Sequence, residues 1–300
     1  LDVSIIIVTF NSEKYILPCI KSILEKMESL KYQIIVVDNN SEDNTIQSLK
    51  NNYPNVKVIE NKFNYGFAKA NNIAIKESNS KYVFLLNPDT ILINNVVNIF
   101  YNFMEKEGNL DFSCIGGTIF NEDNSLQESF GKYPSIKQIL FEFGLKSIFP
   151  NFYNENLSTG FKDYKFELKE VEHIIGAGMF IRRDVLNKIG YFDEDFFLYY
   201  EETELCYRMK KNNFKLFYVP ESKLLHYKGK SESPTINKLK IIEQSKYLFF
   251  EKCYGFNTRI IANLLYIIKF LLAYLLTFNK KYSQLLVINL NIFFNLNYKA

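Results

Sequence analysis

The sequence predicts an α/β fold, a mostly parallel central sheet flanked by helices, followed by a helical tail. Three observations carry this. Short apolar, β-branched runs recur at 3–10, 34–37, 56–59 and 82–86. Stretches with apolar residues at helical spacing separate them. The connections are short, as in parallel strands joined by crossover helices.

The strand at 3–10 contains Ile5-Ile6-Ile7-Val8, a nearly continuous apolar run. That suits a parallel strand covered on both faces. Asn11-Ser12 turns the chain. Ile16, Ile20, Ile23, Leu24 and Met27 then keep helical spacing. Pro18 is compatible with a first helical turn and not with an interior, so regular helix is expected from about Leu17. A second strand at 34–37 ends in Asp38-Asn39-Asn40-Ser41. A helix at 45–51, a strand at 56–59 and a helix at 67–77 follow. The strand at 82–86 is over by Pro88, which cannot donate to a ladder. Asp89 therefore falls on the loop at the carboxyl end of a strand, the edge where open α/β sheets bind ligands. A carboxylate there can hold a divalent cation, and the cation can hold phosphates. Composition alone also allows Asn87-Pro88-Asp89-Thr90 to be a plain turn, and Asp38 to be a cap or turn residue.

A helix at 93–106 and a strand at 112–116 come next, with Gly116-Gly117 expected at the strand's end. Periodicity is poor from 121 to 170, where Phe130, Tyr133, Phe141, Phe149 and Phe161 alternate with polar residues. Such a stretch suits a lid or a second-substrate loop, or a set of short helices. Residues 171–175 lead into Gly176-Ala177-Gly178, where small residues permit close approach of backbone or ligand. A strand at 179–182, a helix at 184–189 and a turn at 190–194 follow. The aromatic run Phe196-Phe197-Leu198-Tyr199-Tyr200 flows into Glu201-Glu202-Thr203-Glu204. That helix has acids first and Lys210-Lys211 last, as the helix dipole favours. Capping and solubility would explain these charges as well as chemistry would. A strand at 214–219 is followed by residues 220–227, which run through His226. Lys228-Gly229-Lys230-Ser231 is a basic loop without the full P-loop pattern. A helix is expected at 234–253.

Residues 252–300 contain no Asp or Glu, and beyond Lys252 the charge is carried by Arg259, Lys269, Lys280, Lys281 and Lys299. Residues 262–278 and 285–296 are mostly apolar. Seventeen residues make a helix of about 25 Å, short of the roughly 30 Å hydrocarbon layer. Lys269 near the middle also argues against a simple span. The tail is expected to lie on or dip into an anionic membrane surface. The alternative is a terminal helix pair docked on the domain or in an oligomer.

Composition excludes several classes. A net charge of +3 makes no case for nucleic acid. Cys19, Cys114, Cys206 and Cys253 are scattered without CxxC spacing, which fits reduced thiols in a cytosolic compartment and not a zinc site. The first residues read as a strand, not a signal peptide. No GxGxxG follows the first strand, which counts against a nicotinamide or flavin site.

A set of stretches then stands in order: Val8-Thr9-Phe10-Asn11-Ser12, Val36-Val37-Asp38-Asn39-Asn40-Ser41, Asn64-Tyr65-Gly66-Phe67-Ala68, Asn71-Asn72, Leu86-Asn87-Pro88-Asp89-Thr90 and Gly176-Ala177. Gly190-Tyr191-Phe192-Asp193-Glu194 with Phe196-Phe197, then Glu201-Glu202-Thr203-Glu204, and His226 with Gly229 complete it. Over residues 3–254 the chain resembles the inverting family 2 glycosyltransferases of GT-A fold, especially their rhamnosyltransferase-like bacterial branch.

The resemblance implies a GT-A domain over 1–254, with a nucleotide-sugar half (1–118) and an acceptor or catalytic half (119–230), and a tail over 255–300. Thr9, Phe10 and Asn11 would line the base and Asp38 would bind it. Asn64, Gly66 and Phe67 would cradle ribose and diphosphate, and Asn72 and Asn87 would also contact the nucleotide sugar. Asn87-Pro88-Asp89 resembles the metal motif, with Asn87 in place of its first acid. Asp89, joined by His226, would hold Mg²⁺ or Mn²⁺. Where the family has Glu-Asp, one residue, then Asp, this chain has Glu201-Glu202 and Glu204. Glu202 matches the catalytic base, with Glu201 as the second choice. Gly176, Ala177 and Glu204 would support the acceptor side. The implied donor is dTDP-rhamnose or a UDP-sugar. The implied acceptor is a cell-surface or lipid-linked glycan, reached from the cytoplasmic face of the membrane. The added methylene of Glu202 leaves open a non-catalytic nucleotide- or partner-binding subunit.

Overall fold

The computed structural model describes residues 1–109, 111–160, 166–227 and 235–294. The basic loop at 228–231 with Gly229, and also Phe161 and Lys299, lie outside the described residues. The first half alternates as expected: β1 (Val3–Thr9), α1 (Glu13–Lys26), β2 (Tyr32–Asp38), α2 (Thr45–Asn52), β3 (Lys57–Glu60), α3 (Gly66–Lys76) and β4 (Tyr82–Leu86). Then come β5 (Thr90–Leu92), α4 (Val96–Glu105), β6 (Phe112–Phe120) and β7 (Phe130–Gly131). Short helices α5 (Ile136–Phe141), α6 (Leu145–Ile148) and α7 (Pro150–Asn156) follow. The second half continues with β8 (Lys169–Glu170), β9 (His173–Ile174), β10 (Gly178–Arg182), α8 (Arg183–Ile189), α9 (Glu201–Lys211) and β11 (Lys215–His226). It ends with α10 (Ile236–Tyr254), α11 (Phe256–Thr277) and α12 (Lys280–Phe294).

The described residues form a main sheet in the order β3-β2-β1-β4-β10-β6-β11-β5, with β8 against β11. β3, β2, β1 and β4 are parallel. β10 runs antiparallel to β4 and β6 and so joins the two halves. Successive side chains of each strand point to opposite faces. Ile6, Val8, Val83 and Leu85 therefore pack in one apolar layer with Ala68 of α3 and Leu205 of α9. Ile5, Ile7, Phe84 and Leu86 pack in the other with Ile20 of α1 and Phe100 of α4. Burial on both faces is why the strands read as continuous apolar runs.

Several boundaries differ from the sequence reading. Helix α1 starts at Glu13, not near Leu17, and contains Pro18. Two contacts pin its start to the next loop: Ser12 N donates to Thr45 Oγ1 at 2.8 Å and Glu13 N to Asp43 Oδ2 at 3.1 Å. Those anchors outweigh the single helical bond that proline forfeits to the Lys14 carbonyl. Gly116 and Gly117 lie inside β6, not at its end. A Cβ on Gly116 would fall 2.4 Å from Ile174 Cγ2, and one on Gly117 would fall 2.2 Å from Ser222 Oγ. They are small for packing, not for turning. β11 runs on through Pro220, with a register break between Val219 and Lys223 that absorbs the missing donor. The stretch from 121 to 170 contains the short helices α5, α6 and α7. In the tail, α11 opens at Phe256, and its 22 residues make about 33 Å. A third apolar cluster holds α10, α11, α12 and α5 together through residues such as Phe250, Tyr266, Ile288 and Ile139.

Candidate active site

The parallel strands β1 and β2 are in register so that Thr9 lies beside Asp38 at the carboxyl edge. Asp38 is 3% exposed. Ser41 N donates to Asp38 Oδ2 at 2.9 Å and Ser41 Oγ to Oδ1 at 2.5 Å. Ser41 Oγ in turn accepts from Asn11 N at 2.9 Å, and Asn11 Oδ1 accepts from Glu42 N at 2.8 Å. Asn11 and Asn40 both take positive φ, which asparagine tolerates better than most residues. The two strand-end loops are thus stitched together, and Asp38 braces a turn. Carboxylate oxygens have lone pairs beyond these two bonds. Thr9 Oγ1 beside it is buried without a hydrogen-bond partner, and Phe10 is exposed.

The loop into α3 is held by Asn64, whose Oδ1 accepts from Gly66 N at 2.9 Å. Gly66 has φ +79°, and a Cβ there would sit 2.2 Å from the Phe197 carbonyl oxygen. Only glycine fits both conditions. Phe67 N donates to that same Phe197 carbonyl at 2.7 Å. The first two amides of α3 are therefore spent within the protein. The positive end of the helix dipole remains. Asn72 is also committed: its Nδ2 donates to Phe192 O and Glu194 Oε1, and its Oδ1 accepts from Phe192 N. With both amide hydrogens used, Asn72 braces the 190–194 turn.

At the end of β4 three predicted residues converge. The antiparallel pairing of β5 with β11 sets His226 opposite Thr90. His226 Nε2 then lies 3.1 Å from Asp89 Oδ1 and 3.3 Å from Asn87 Nδ2. Gln127, which no sequence signal marked, touches the other ring nitrogen: its Oε1 is 2.6 Å from His226 Nδ1. Among the described residues no three His, Cys, Asp or Glu side chains gather as a metal cage. One carboxylate, one imidazole and a neighbouring amide nevertheless suit an ion whose remaining ligands come from phosphate oxygens and water. Cys19 lies behind them, and its thiol is pushed well up by burial and by the Asp89 charge. It is poorly suited to act as a nucleophile.

The acidic helix is aimed by strain. Tyr199 and Tyr200 adopt successive left-handed conformations, φ +72° and +68°, which are costly for side chains of that size. They turn the first helical residues into the protein: Glu201 is 3% exposed and Glu204 is buried. Glu204 accepts from Arg208 Nε at 2.6 Å, and Arg208 also binds the Ile189 and Tyr191 carbonyls. Glu202 borders Gly176, where a Cβ would stand 3.8 Å from Glu202 Cγ and 3.7 Å from Phe67 Cζ. Burial pushes the Glu202 carboxyl up, while the amides of Gly176 and Thr203 pull it partly back. Burial, then the charge of Glu202, push Glu201 well up. Both have an Oε2 that is buried and without a hydrogen-bond partner. Ala177 is buried in the sheet layer, and its carbonyl accepts from Asn87 N at 3.3 Å. The structure thus gathers Thr9 with Asp38, Asn87 and Asp89 with His226, and Glu202 with Gly176 and Phe67.

Comparisons with known proteins give the family and the fold. The sequence model for glycosyl transferase family 2 matches residues 4–190. The low-salt glycan biosynthesis hexosyltransferase Agl10 of Haloferax volcanii is 30% identical over 72% of this chain, which spans 64% of that protein's length. The N-acetylglucosaminyl-diphospho-decaprenol L-rhamnosyltransferase of Mycobacterium tuberculosis is 25% identical, covering 72% of this chain and 73% of that one. Rhamnosyltransferase WbbL of Escherichia coli K12 is 27% identical, covering 75% and 83%. In fold, the chain is similar to GalNAc-T7 crystallised with UDP, GalNAc and Mn²⁺, with TM-score 0.57 and 18% identity over 83% of this chain and 50% of that one. It is also similar to Staphylococcus aureus TarS in complex with UDP, with TM-score 0.53 and 16% identity over 88% and 70%. The chain belongs to glycosyl transferase family 2, in its rhamnosyltransferase-like branch, and carries the GT-A fold.

Proposed function

We propose that this glycosyltransferase moves a sugar, with inversion, from dTDP-rhamnose or a UDP-sugar to a hydroxyl of a cell-surface or lipid-linked glycan. The observation that carries the reading is one sheet edge with two different acidic settings. The Asp89 carboxylate faces an imidazole, and half-buried Glu202 borders a glycine with one carboxylate oxygen buried and without a partner. Rhamnose is favoured by the two rhamnosyltransferase relatives. A uridine donor is favoured by the UDP bound to the TarS fold neighbour.

In this mechanism residues 1–118 hold the donor and 119–230 the acceptor. Asp38 and the unpartnered Thr9 hydroxyl bind the base, with Phe10 and Asn11 beside it. Asn64 and Gly66 shape the loop against ribose and diphosphate. Asp89 and His226, with Asn87 alongside, would hold Mg²⁺ or Mn²⁺, which when bound supplies neutralisation of the charge on the departing diphosphate. Glu202 accepts the proton of the acceptor hydroxyl as its oxygen bonds to the anomeric carbon. The bond from that carbon to the diphosphate oxygen breaks on the opposite side, so the centre inverts. Desolvation suits Glu202 to this task, because a buried carboxylate takes a proton more readily than an exposed one. Glu201 is the second candidate, and Glu204 with Arg208 holds the helix start. The tail over 255–300 keeps the protein peripheral on the cytoplasmic face of the membrane.

The test is a donor screen. Protein is incubated with Mn²⁺ or Mg²⁺ and a panel of dTDP- and UDP-sugars, and free nucleoside diphosphate is measured with and without lipid-linked acceptor. Metal-dependent release from one donor, reduced in Asp89→Ala and Glu202→Gln, supports the reading. Absence of donor binding across the panel would sink it in favour of a non-catalytic subunit.

A further inference from the structure

Helix α11 is apolar on its exposed side and mixed on its buried side. Its buried positions are Arg259, Ala262, Asn263, Tyr266 and Phe270. Three of its polar side chains are spent inward: Arg259 on Glu251, Asn263 on Asn289 and Lys269 on Glu142, which caps α5. The opposite stripe is Ile261, Leu264, Ile268, Leu271, Leu272 and Leu275, each 41–55% exposed. Those positions share one helical face. A helix docked in water presents the reverse arrangement. At the hairpin tip Leu276 and Phe278 are 82% and 77% exposed, and Lys280 and Lys281 follow at once. On α6 the exposed Ile148 sits two residues from Lys146. An apolar surface of this extent marks an interaction face.

Charge identifies the occupant. Lys280 and Lys281 follow the exposed tip of the stripe, and no acid occurs in residues 252–300. A second copy would bring the same cations to the contact. A bilayer with anionic head groups offers an apolar layer and negative charge at the same depth. We propose that α11 lies in the plane of an anionic bilayer, its Ile261-to-Leu275 stripe immersed, Leu276 and Phe278 inserted, and Lys280 and Lys281 at the head groups. Lys269 does not oppose this, because it points to Glu142 on the other side. The inward polar side chains hold α11 along the protein, so that it lies on the membrane without crossing it, although its length and composition would allow a crossing. This rests on the peripheral-membrane reading above and names its surface.

Flotation with vesicles of pure phosphatidylcholine and of phosphatidylcholine with phosphatidylglycerol tests it, using the full chain. The variants are Leu264→Gln/Ile268→Gln/Leu272→Gln and Lys280→Ser/Lys281→Ser, with folding checked by circular dichroism and mass by light scattering. The wild type is expected to float with the anionic vesicles. The stripe variant should bind at least about tenfold more weakly, and the lysine variant should lose the anionic preference. Wild type that floats with neither vesicle overturns the membrane reading as a whole. Equal flotation of the stripe variant overturns only the face assignment. A wild-type dimer that the stripe variant dissociates, without flotation, assigns the face to a second copy instead.

A different observation concerns His226. Gln127 is 2% exposed, and its Nε2 donates to the His226 carbonyl at 3.1 Å and to Asn121 Oδ1 at 2.7 Å. Its Oε1 can therefore only accept, and it faces His226 Nδ1 at 2.6 Å. We infer that Gln127 is a positioning residue that keeps the hydrogen on Nδ1 and turns the Nε2 lone pair toward Asp89 and Asn87. This rests on the proposed ion site. The chain has only two histidines, so long-range ¹H–¹⁵N spectra at pH 8 with diamagnetic Mg²⁺ present read the tautomer directly. Wild type and Gln127→Glu should show Nδ1–H, and Gln127→Leu a mixture with Mn²⁺ bound about tenfold more weakly. An Nε2–H ring in wild type, or an unchanged tautomer in Gln127→Leu, overturns the inference. The expected tautomers with no Mn²⁺ binding in any form support it and overturn the ion site instead.

Discussion

Two acidic groups serve the same sheet edge and are built in opposite ways. Asp89 sits at the end of a parallel strand, its carboxylate 3.1 Å from the imidazole of His226. Glu201 and Glu202 open a helix after two left-handed tyrosines, and each has a buried oxygen without a partner. A carboxylate beside an imidazole nitrogen and a side-chain amide suits a cation. A desolvated carboxylate beside another acid suits a proton. Residue type is nearly constant between the two places. Solvation and neighbours differ, and they separate the proposed roles.

The largest effect is expected at the charge-holding group. Asp89→Ala should lower transfer by about 10³-fold and abolish Mn²⁺ binding measured by calorimetry. Unchanged Mn²⁺ affinity would break the comparison on that side. Glu202→Gln should come next, with a loss of about 10²-fold or more in kcat and nearly unchanged donor Kd. A Kd change as large as the kcat change would make Glu202 a binding group. Glu202→Asp, which shortens the side chain by a methylene, should retain most of that activity, and Glu201→Gln should cost less than Glu202→Gln. The reverse order would move the base to Glu201.

The pH profile sharpens the contrast. The base must be ionised to accept a proton, and the Glu202 carboxyl is raised from its usual value. The rate should therefore rise with pH through a point above the ordinary carboxylate range and depend on the residue at 202. Stability should move the other way. The folded chain holds its protons on Glu201 and Glu202 more tightly than the unfolded chain does, so ν for the native state exceeds that for the unfolded state. Stability then falls as pH rises from the unfolded carboxylate value through the raised folded one. Glu201→Gln should relieve this and raise Tm at pH 8 by roughly 1–3 °C, with little change at pH 4. A lower Tm at pH 8 would mean that the Glu201 charge is compensated.

Much of the fold was legible because its signals are local. Continuous β-branched runs marked strands covered on both faces, and Asp38 and Asp89 could be placed at strand ends from Asn40-Ser41 and Pro88 alone. The misreadings share one cause. Pro18 and Pro220 occur inside regular elements because contacts made elsewhere outweigh the missing amide. Gly116 and Gly117 mimic a strand end while making room for Ile174 and Ser222.

The sequence by itself determined the order of strands and helices, the acids and asparagines at the strand ends, and the absence of acids from the tail. Only the tertiary structure decided which of these meet. His226 reaches Asp89 because β5 pairs with β11. Gln127 reaches His226 from an aperiodic stretch. Lys269 turns from an obstacle in an apolar helix into an inward partner of Glu142. Backbone periodicity is a short-range property and can be read along the chain. Desolvation and pairing are long-range properties, set by sheet topology and by the packing of segments far apart in sequence.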